Sequence, residues 1–419
     1  MGSGSSARLI AVAAAALLVG CGGDGDHERP RPRQAPLPLG GVEQRITTEG
    51  LNEHLTALQR IAAEHGGHRS VGTAGERATA DYLAGRLRAA GYRVRVQDVA
   101  ASSFRERTAP RVTVGSRRIE VTTLRFSGSG NVSGRVRAVG LGCSRAAFAG
   151  LRRDEVALVR RGTCSFRSKA LAAQRAGARA VLISDRTPVR GSLQDTGVRV
   201  PVVAVGGRGA GLAGARVRVR VDASSAERRS ANVIAEAGSG RVVMAGAHLD
   251  SVPEGPGLND NGSGVAAVLE IAEELGGRAL PEGVALRFGF WGAEEIGLVG
   301  STQYVEGLSR EQRRAISAYV NLDMVGSPGA RPAIYDGDAT IAAALRRQLG
   351  PDAPSDDLGS RSDHAPFDRA GIPVGGLFTG LDRCYHRECD TIENVDREVL
   401  TASARAAGAA LAELALDRP

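Results

Sequence analysis

The residues of this sequence that could do chemistry are histidines and carboxylates placed where apolar runs end. The run 242–247 leads directly into His248, and Asp260 follows in a turn rich in glycine and asparagine. An apolar run between glycines is typical of a strand buried on both faces, and open α/β sheets bind ligands beyond the carboxyl ends of their strands. The pattern therefore indicates that His248 and Asp260 bind a metal ion at such an edge.

Three further apolar runs are followed by groups of the same kind. These groups are Glu294 and Glu295 after the run 284–290, Asp323 after 316–322, and His386 after 373–378. A single exposed carboxylate is usually only solvated, but several such groups at matching ends of one sheet predict a common site. Imidazole nitrogen and carboxylate oxygen suit zinc, and five ligands exceed the three that one catalytic zinc takes. The set favours two metals about 3.5–4 Å apart that share one carboxylate.

The elements that must position these groups form an α/β pattern. After Asn232, strand-like runs alternate with helix-like segments, which predicts a mostly parallel, mixed sheet flanked by helices. Residues 101–221 differ, because short β-type runs separated by turn residues dominate there. We therefore expect a discontinuous α/β domain at 45–100 and 222–419, with a small β-rich domain inserted at 101–221.

The N-terminus resembles a targeting segment. Arg8 precedes the apolar run 9–19, which is too short to span a bilayer as a mature helix, and a small residue then precedes Cys21. This pattern resembles a bacterial lipoprotein signal, which implies cleavage of residues 1–20, a lipid on Cys21 and a flexible tether at 21–44. The protein would then be exported and anchored in a membrane, on the outer side of the cytoplasmic membrane or elsewhere in the cell envelope. An ordinary secretory signal, with release of the protein, is the alternative.

Export also affects how the remaining cysteines are interpreted. An oxidising compartment permits the disulfides Cys143–Cys164 and Cys384–Cys389, and free buried thiols are the alternative.

The formal charge of +8 comes almost entirely from scattered arginines without interleaved aromatic residues, which argues against nucleic-acid binding. We expect a monomer.

Six short motifs together produce a specific resemblance. They are HLDS at 248–251, NDNGSG at 259–264, WGAEE at 291–295, NLDM at 321–324, RSDHAPF at 361–367 and CYH at 384–386. With them, the segment from His248 to about Asp396 resembles the M28 family of zinc aminopeptidases, and closely the secreted Streptomyces-type enzymes. The resemblance implies the zinc exopeptidase fold, of the phosphorylase/hydrolase-like class. Residues 134–205 resemble a protease-associated (PA) domain, which would account for the insertion at 101–221.

Carried onto these positions, the resemblance implies two zinc ions in the site. His248 and Asp323 would hold one ion, and Glu295 and His386 would hold the other. Asp260 would bridge them, and no ligand position of the family is substituted in this chain.

The remaining positions acquire roles in the same way. Glu294 would be the general base that takes a proton from a water activated by the two zinc ions, and Tyr385 would donate to the developing oxyanion. Independently of the resemblance, Asp250 lies two residues from His248 on the same strand face, so we expect it to accept the second imidazole N–H of that histidine. Arg361 and Asp363 would line the site without binding zinc.

The implied function is removal of the N-terminal residue from peptides and proteins by zinc-dependent hydrolysis. The alternative enzyme is a glutaminyl-peptide cyclotransferase, which has the same fold but a single zinc. A third hypothesis, a catalytically silent receptor, usually requires loss of a ligand or of the base, and all of these residues are present here. We also expect the PA domain to restrict access to the site or to help present substrate.

Overall fold

The computed structural model describes residues 39–417, except 210, 336 and 358. The predicted signal peptide, Cys21 and most of the predicted tether lie outside the described residues. The tether predicted at 21–44 is too long at its end, because Leu39 and Val42 are buried in the core of the α/β domain. Residues 39–44 therefore belong to the folded domain.

The helices lie mainly in the α/β domain. In chain order they are α1 (Val42–Arg45), α2 (Thr48–Glu64), α3 (Ala74–Ala89), α4 (Phe166–Arg175), α5 (Gly262–Leu275), α6 (Val299–Glu306), α7 (Arg310–Ala315), α8 (Ala339–Leu349), α9 (His364–Arg369) and α10 (Arg397–Leu416). The side chains of Thr47 and Thr73 accept backbone N–H bonds at the starts of α2 and α3, as N-capping residues do. Helix α10 is long and apolar enough to cross a membrane, but most of it is buried against α5 and α8, as in a core helix.

The strands continue from the α/β domain into the insertion. In chain order they are β1 (Arg93–Val114), β2 (Arg117–Ile119), β3 (Val121–Thr123), β4 (Gly130–Gly140), β5 (Glu155–Arg160), β6 (Val181–Ser184), β7 (Val202–Val205), β8 (Arg216–Gly238), β9 (Arg241–His248), β10 (Val284–Trp291), β11 (Ile316–Leu322), β12 (Ala333–Tyr335), β13 (Ser355–Asp356) and β14 (Val374–Phe378).

One continuous sheet joins these strands. Its order is β13-β12-β14-β11-β9-β10-β8-β4-β5-β6-β7-β3, and β1 pairs with β2 and β8. In the α/β domain, β9 is parallel to β10 and β11, and β11 is parallel to β14. Strand β8 is antiparallel to β10, and β12 is antiparallel to β14. The prediction of a mostly parallel, mixed sheet flanked by helices is confirmed.

The central strands are apolar because helices cover both of their faces. All of β9 beyond Arg241 is buried, and α5 and α10 contribute to the large apolar cluster on one side of the sheet. The other side contains an aromatic cluster in which Trp291, Tyr304 and Phe367 pack together, and Phe367 stacks on Tyr319 at 3.9 Å. Strands buried in this way hold their carboxyl ends in fixed positions.

The insertion is the β-rich domain that the sequence predicts. Strands β4 to β7 are neighbours in the sheet, α4 packs against them, and a disulfide joins Cys143 to Cys164 with a Cα–Cα distance of 5.8 Å. Strands β1 and β8 pair with each other from Arg93 to Val114, with register shifts after Glu106. The sequence predicts separate short strands here, but the chain forms two long ones. The predicted boundaries at 100/101 and 221/222 fall inside them.

Candidate metal centre

The candidate site lies where neighbouring parallel strands end. His248 is the last residue of β9, Asp323 follows β11 directly, and Glu295 lies in the turn after β10. His386 comes from the loop after β14, and Asp260 lies in the turn before α5. Parallel strands bring their carboxyl ends to one edge of the sheet, so side chains far apart in the sequence converge there.

Asp260 lies between the two histidines. Its Oδ1 is 3.2 Å from Nε2 of His248, and its Oδ2 is 3.2 Å from Nε2 of His386. Asp323 Oδ1 is 3.6 Å from the same nitrogen of His248, and Glu295 Oε2 is 3.1 Å from that of His386. Two groups of three donors result, each with donor atoms within 4.8 Å of one another, and Asp260 belongs to both. The structure thus brings all five predicted ligands together.

The donor set fits divalent cations. Glu295 Oε1 and Asp323 Oδ1 are buried, and neither has a hydrogen-bond partner among the described residues. Three carboxylates and two imidazoles leave an excess of negative charge, which is costly to bury unless a cation balances it. Nitrogen and oxygen donors without sulfur match zinc, and two three-donor groups match two ions.

The electrostatics of the centre reflect the same crowding of carboxylates. Burial raises the pKa of Glu294 well above its usual range, and the surrounding carboxylates raise it further against the opposing effect of His248. Burial raises the pKa of Glu295 to about 7, and Asp260 adds to this effect. Burial lowers the pKa of His248, but Glu294 and the nearby carboxylates of Asp250, Asp260 and Asp323 outweigh burial and raise it well above 6.5. Each shift reduces the net negative charge, which is also what bound cations do.

A small cavity of about 110 Å³ opens onto the ligands. Its other walls include the apolar side chains of Met324 and Phe378 together with Tyr385. Glu294 also lines the cavity, with Oε2 3.9 Å from Nε2 of His248, but it belongs to neither three-donor group. A carboxylate beside the ligands and outside both groups is available for proton transfer.

A chain of hydrogen bonds reaches Asp323 from the core. The indole Nε1 of Trp291 donates to the Tyr319 hydroxyl at 2.7 Å, and that hydroxyl donates to Asn321 Oδ1 at 2.8 Å. Asn321 Nδ2 donates to Ser362 Oγ at 2.8 Å, and Ser362 donates to Asp323 Oδ2 at 2.6 Å. The indole can only donate and the carboxylate can only accept, so the direction of every bond is determined. The chain positions Oδ2 and leaves Oδ1 directed to the centre.

Asp250 supports the turn that carries the two glutamates. Its carboxylate accepts the backbone N–H of Glu294 at 3.1 Å and that of Glu295 at 3.3 Å. Nδ1 of His248 lies 3.2 Å from the Asp250 carbonyl oxygen but 3.7 Å from its carboxylate. The nearer acceptor for the imidazole is therefore the backbone carbonyl, which differs from the predicted role of this side chain.

His386 is supported by a local loop. Its side chain is 38% exposed and its φ of 58° lies in the left-handed region, which is uncommon for a residue other than glycine. The disulfide Cys384–Cys389 closes the loop, and the Tyr385 ring stacks on the imidazole at 3.8 Å. Burial and the nearby carboxylates raise the pKa of Tyr385 above its usual value of 10, so the phenol keeps its proton near neutral pH.

Arg361 and Asp363 occupy different positions around the cavity. Arg361 borders it, whereas Asp363 is fully buried at the start of α9. Burial raises the pKa of Asp363 to about 7. Asp363 belongs to neither three-donor group, and it does not line the cavity as the sequence analysis expects, because the start of α9 is buried.

Two buried residues beside the centre were not recognised from the sequence. Arg69 is fully buried and donates to three backbone carbonyls within the segment 249–257, which connects two of the ligands. Asp390 accepts the backbone N–H groups of Asn259 and Asp260 at 2.8 and 3.0 Å. The glycine-rich stretch 66–75 around Arg69 is the only signal in the sequence, since a single arginine or aspartate has no diagnostic spacing.

Sequence comparisons agree with this geometry. Residues 232–411 match peptidase family M28, and residues 132–213 match the PA domain. The probable lipoprotein aminopeptidase LpqL of Mycobacterium tuberculosis is 37% identical over 418 aligned residues, covering 86% of this chain and 83% of that protein.

Solved structures resemble the chain over most of its length. An aminopeptidase from Aneurinibacillus sp. strain AM-1 superposes with a TM-score of 0.70 and 29% identity, covering 88% of this chain and 94% of that chain. The zinc aminopeptidase BSAP from Bacillus subtilis superposes with a TM-score of 0.59 and 27% identity, covering 88% of this chain and 95% of that chain.

Proposed function

This chain belongs to peptidase family M28 and is a metalloaminopeptidase, and we propose that it uses two zinc ions to remove the N-terminal residue of peptides and proteins outside the cytoplasm. The observation that carries the proposal is the carboxylate of Asp260, whose two oxygens each lie 3.2 Å from a different histidine. One carboxylate shared by two three-donor groups suits a pair of metal ions.

The two three-donor groups support the following assignment of ligands to ions. His248 and Asp323 would hold one zinc, Glu295 and His386 would hold the other, and Asp260 would contact both. When bound, the two ions polarise the scissile carbonyl and make water acidic enough to react near neutral pH. The protein itself orients the substrate and moves protons.

Glu294 is the residue that moves the proton. It lines the cavity outside both donor groups, and burial raises its affinity for a proton. Such a carboxylate can take a proton from the attacking water and deliver it to the leaving amine. The two backbone N–H bonds to Asp250 hold the turn in place, so the carboxylate stays beside the ligands.

Tyr385 is the donor to the developing oxyanion. It lines the cavity, stacks on His386 and keeps its proton near neutral pH. A positioned donor of this kind stabilises the transition state by roughly 2.7–4 kcal/mol in comparable sites.

The cavity would bind the first residue of the substrate. Unligated carboxylate edges of Glu294 and Asp323 would hold the α-ammonium group. The volume of about 110 Å³ and the walls formed by Met324 and Phe378 suit one apolar side chain. We therefore expect a preference for apolar N-terminal residues, which a panel of aminoacyl-p-nitroanilides measures.

The PA domain would restrict access to this cavity. A cleft of about 1420 Å³ lies between the insertion and the α/β domain, and Ile296 and Gly297 border it directly after the two glutamates. Arg125 of the insertion donates to the carbonyl of Ile296 at 2.9 Å. Arg125→Ala should change kcat/KM for long peptides more than for a p-nitroanilide, and equal effects on both would contradict this role.

Glu294→Gln tests the catalytic assignment. The variant should retain two zinc ions per chain, counted by mass spectrometry, while kcat on leucine p-nitroanilide falls by about 10²–10⁴-fold. Glu282→Gln, at an exposed position, is the matched control and should leave kcat unchanged. Undiminished turnover in Glu294→Gln would exclude it as the base. A single zinc together with cyclisation of N-terminal glutamine would identify a glutaminyl-peptide cyclotransferase instead.

An envelope location is supported by two features. The sequence has a lipoprotein-like signal directly before Cys21, and the structure has two disulfides, which persist in oxidising compartments. Labelling with a radioactive fatty acid should mark the wild-type chain and not Cys21→Ala. Labelling of both chains would contradict lipid attachment at that cysteine.

A further inference from the structure

The charge of the chain is divided unevenly between its two parts. Residues 101–221 contain 24 arginines and lysines against six carboxylates, a formal charge of +18. Residues 39–100 and 222–419 contain 26 basic residues against 37 carboxylates, a formal charge of −11. A bias toward arginine in the whole sequence does not explain why the two parts have opposite signs.

Strand pairing collects part of the positive charge on one face of the insertion. Arg216, Arg218 and Arg220 alternate along β8 with buried valines, so all three point to the same exposed side. Directly paired residues of antiparallel strands share a face. Arg135 of β4 pairs with Arg216, and Arg111 of β1 pairs with Arg220.

The strand next to β1 adds a sixth arginine to this face. Thr113 pairs with both Arg218 and Arg118, so the side chain of Arg118 in β2 lies on the same side. We call the six residues the arginine face: Arg111, Arg118, Arg135, Arg216, Arg218 and Arg220. All six are exposed, and none forms an ion pair with a carboxylate among the described residues.

The arginine face is small, and its charges repel one another. Four adjacent strands at about 4.8 Å spacing, and the four intervals between positions 216 and 220 of β8 at about 3.4 Å each, confine it to roughly 14 by 14 Å. Like charges directly opposite each other destabilise a sheet, and two such pairs occur here, Arg111–Arg220 and Arg135–Arg216. Binding to a dense array of negative charges would remove this repulsion.

The face is distant from the metal centre. Val233 of β8 pairs with Phe290 at the carboxyl end of β10, and Arg220 lies 13 positions before Val233 in the same strand. At about 3.4 Å per residue the separation along the strand is roughly 44 Å. The arginine face therefore does not contact a substrate residue in the cavity.

We propose that the arginine face docks the protein onto a membrane surface rich in anionic phospholipid headgroups. An exposed face with six arginines that form no ion pair among the described residues suits a layer of phosphates. The described chain begins at residue 39, 18 residues after Cys21, which limits its distance from an anchored lipid to about 65 Å. The negative α/β domain would be repelled by the same surface, so the contact would be made by the insertion.

This proposal rests on the envelope location proposed above but not on the aminopeptidase activity. Its test uses residues 22–419, which include every residue that the structure describes, so that no lipid anchor contributes. The probe is vesicles of phosphatidylcholine with and without phosphatidylglycerol, and binding is measured by co-sedimentation.

The wild-type chain should bind only the anionic vesicles, and binding should weaken as salt rises, because charges are screened beyond about 10 Å at 0.1 M ionic strength. Each arginine near such a surface contributes about fivefold to binding. The triple variant Arg216→Gln, Arg218→Gln, Arg220→Gln should therefore bind about 100-fold more weakly. Its activity on leucine p-nitroanilide should be unchanged, which distinguishes this result from failure of the proposed function.

The matched control removes the same charge from the other domain. Arg60→Gln, Arg310→Gln and Arg314→Gln together change exposed arginines of the α/β domain and should leave vesicle binding within about twofold of wild type, since none lies near the arginine face. Equal losses in both triple variants, or wild-type binding to neutral vesicles, would overturn the proposal. So would unchanged vesicle binding with a lower kcat/KM for acidic peptides, which would make the face a substrate-steering surface. The lipid and salt comparisons use only the wild-type chain, so they test the proposal even if a variant folds poorly.

Discussion

The two sides of the metal centre differ in how the fold supports them. On one side, His248 ends a buried strand and is 1% exposed, and Asp323 is held by hydrogen bonds that begin at a core tryptophan. On the other side, His386 is 38% exposed and lies in a short loop closed by a disulfide. The comparison indicates that the sheet positions the first side, whereas local covalent structure positions the second.

The arrangement has a consequence for how the centre can be altered. Removing a support of the strand side changes a network that runs through the core, from Trp291 to Ser362. Removing a support of the loop side changes residues that face solvent and the cavity. The two kinds of variant should therefore affect different metal ions.

The largest effect is expected from the loop side. The double variant Cys384→Ser, Cys389→Ser frees the loop that holds Tyr385 and His386, so zinc on that side should be lost and kcat/KM should fall by about 100-fold. Zinc content and kcat/KM are the measurements. Cys143→Ser with Cys164→Ser is the matched control, because that disulfide lies in the insertion, and its kcat/KM should stay within about twofold of wild type. Equal losses of zinc and of kcat/KM in the two double variants would contradict a specific role of the Cys384–Cys389 disulfide.

A smaller effect is expected on the strand side. Ser362→Ala removes the donor to Asp323 Oδ2, and the affinity for one zinc should fall about tenfold while the second remains bound. Stepwise removal of zinc by a competing chelator measures both affinities. Ser317→Ala is the control. Ser317 lies at the other end of β11 from Asp323, and its hydroxyl donates to the backbone carbonyl of Val242. If both zinc ions bound equally more weakly, the hydrogen-bond chain from Trp291 to Asp323 would not act on one side of the centre alone.

The smallest effect on the centre is expected from Glu76, a buried carboxylate that interacts with Asp250. It accepts bonds from the Gly72 N–H and the Ser230 hydroxyl, and burial, followed by Asp250, raises its pKa from 4.5 to about 7. Between these values the folded chain binds more protons than the unfolded chain, so stability falls as pH rises.

Glu76→Gln should remove this contribution. The decline in Tm between pH 5 and pH 8 should become smaller, by roughly 1–2 °C for each kcal/mol involved in a chain of this length. Thermal unfolding followed by circular dichroism measures this difference, and kcat should change little. Glu64→Gln, at an exposed helix end, is the control and should keep the wild-type profile. The same pH profile in Glu76→Gln and wild type would contradict the raised pKa.

Much of the candidate site could be predicted because its residues follow a local pattern. Burial of a central strand requires a continuous apolar run, as in β9, and the polar residue that ends the run must lie at the sheet edge. His248 and Asp323 are therefore visible in the sequence as strand-end residues. Their assignment to particular zinc ions came from resemblance to a family and stays a prediction.

The supports of the site were much less visible. Asp250 has a carboxylate two residues from His248, which suggested an imidazole partner, but the folded turn brings two backbone N–H groups closer to it. The left-handed backbone at Ala293 and His386 has no glycine to mark it. The local patterns predict only short strands within β1 and β8. The two strands are long in the structure because they pair with each other from the α/β domain into the insertion.

The sequence by itself determined the types of metal-binding side chain, their order along the chain and the strand ends that carry them, since these depend on composition and local periodicity. Only the tertiary structure decided which oxygen of Asp260 faces which histidine, how hydrogen bonds from the core reach Asp323, and that six arginines from four strands share one face. These features depend on register and on contacts between segments far apart in the chain, and no local pattern contains that information.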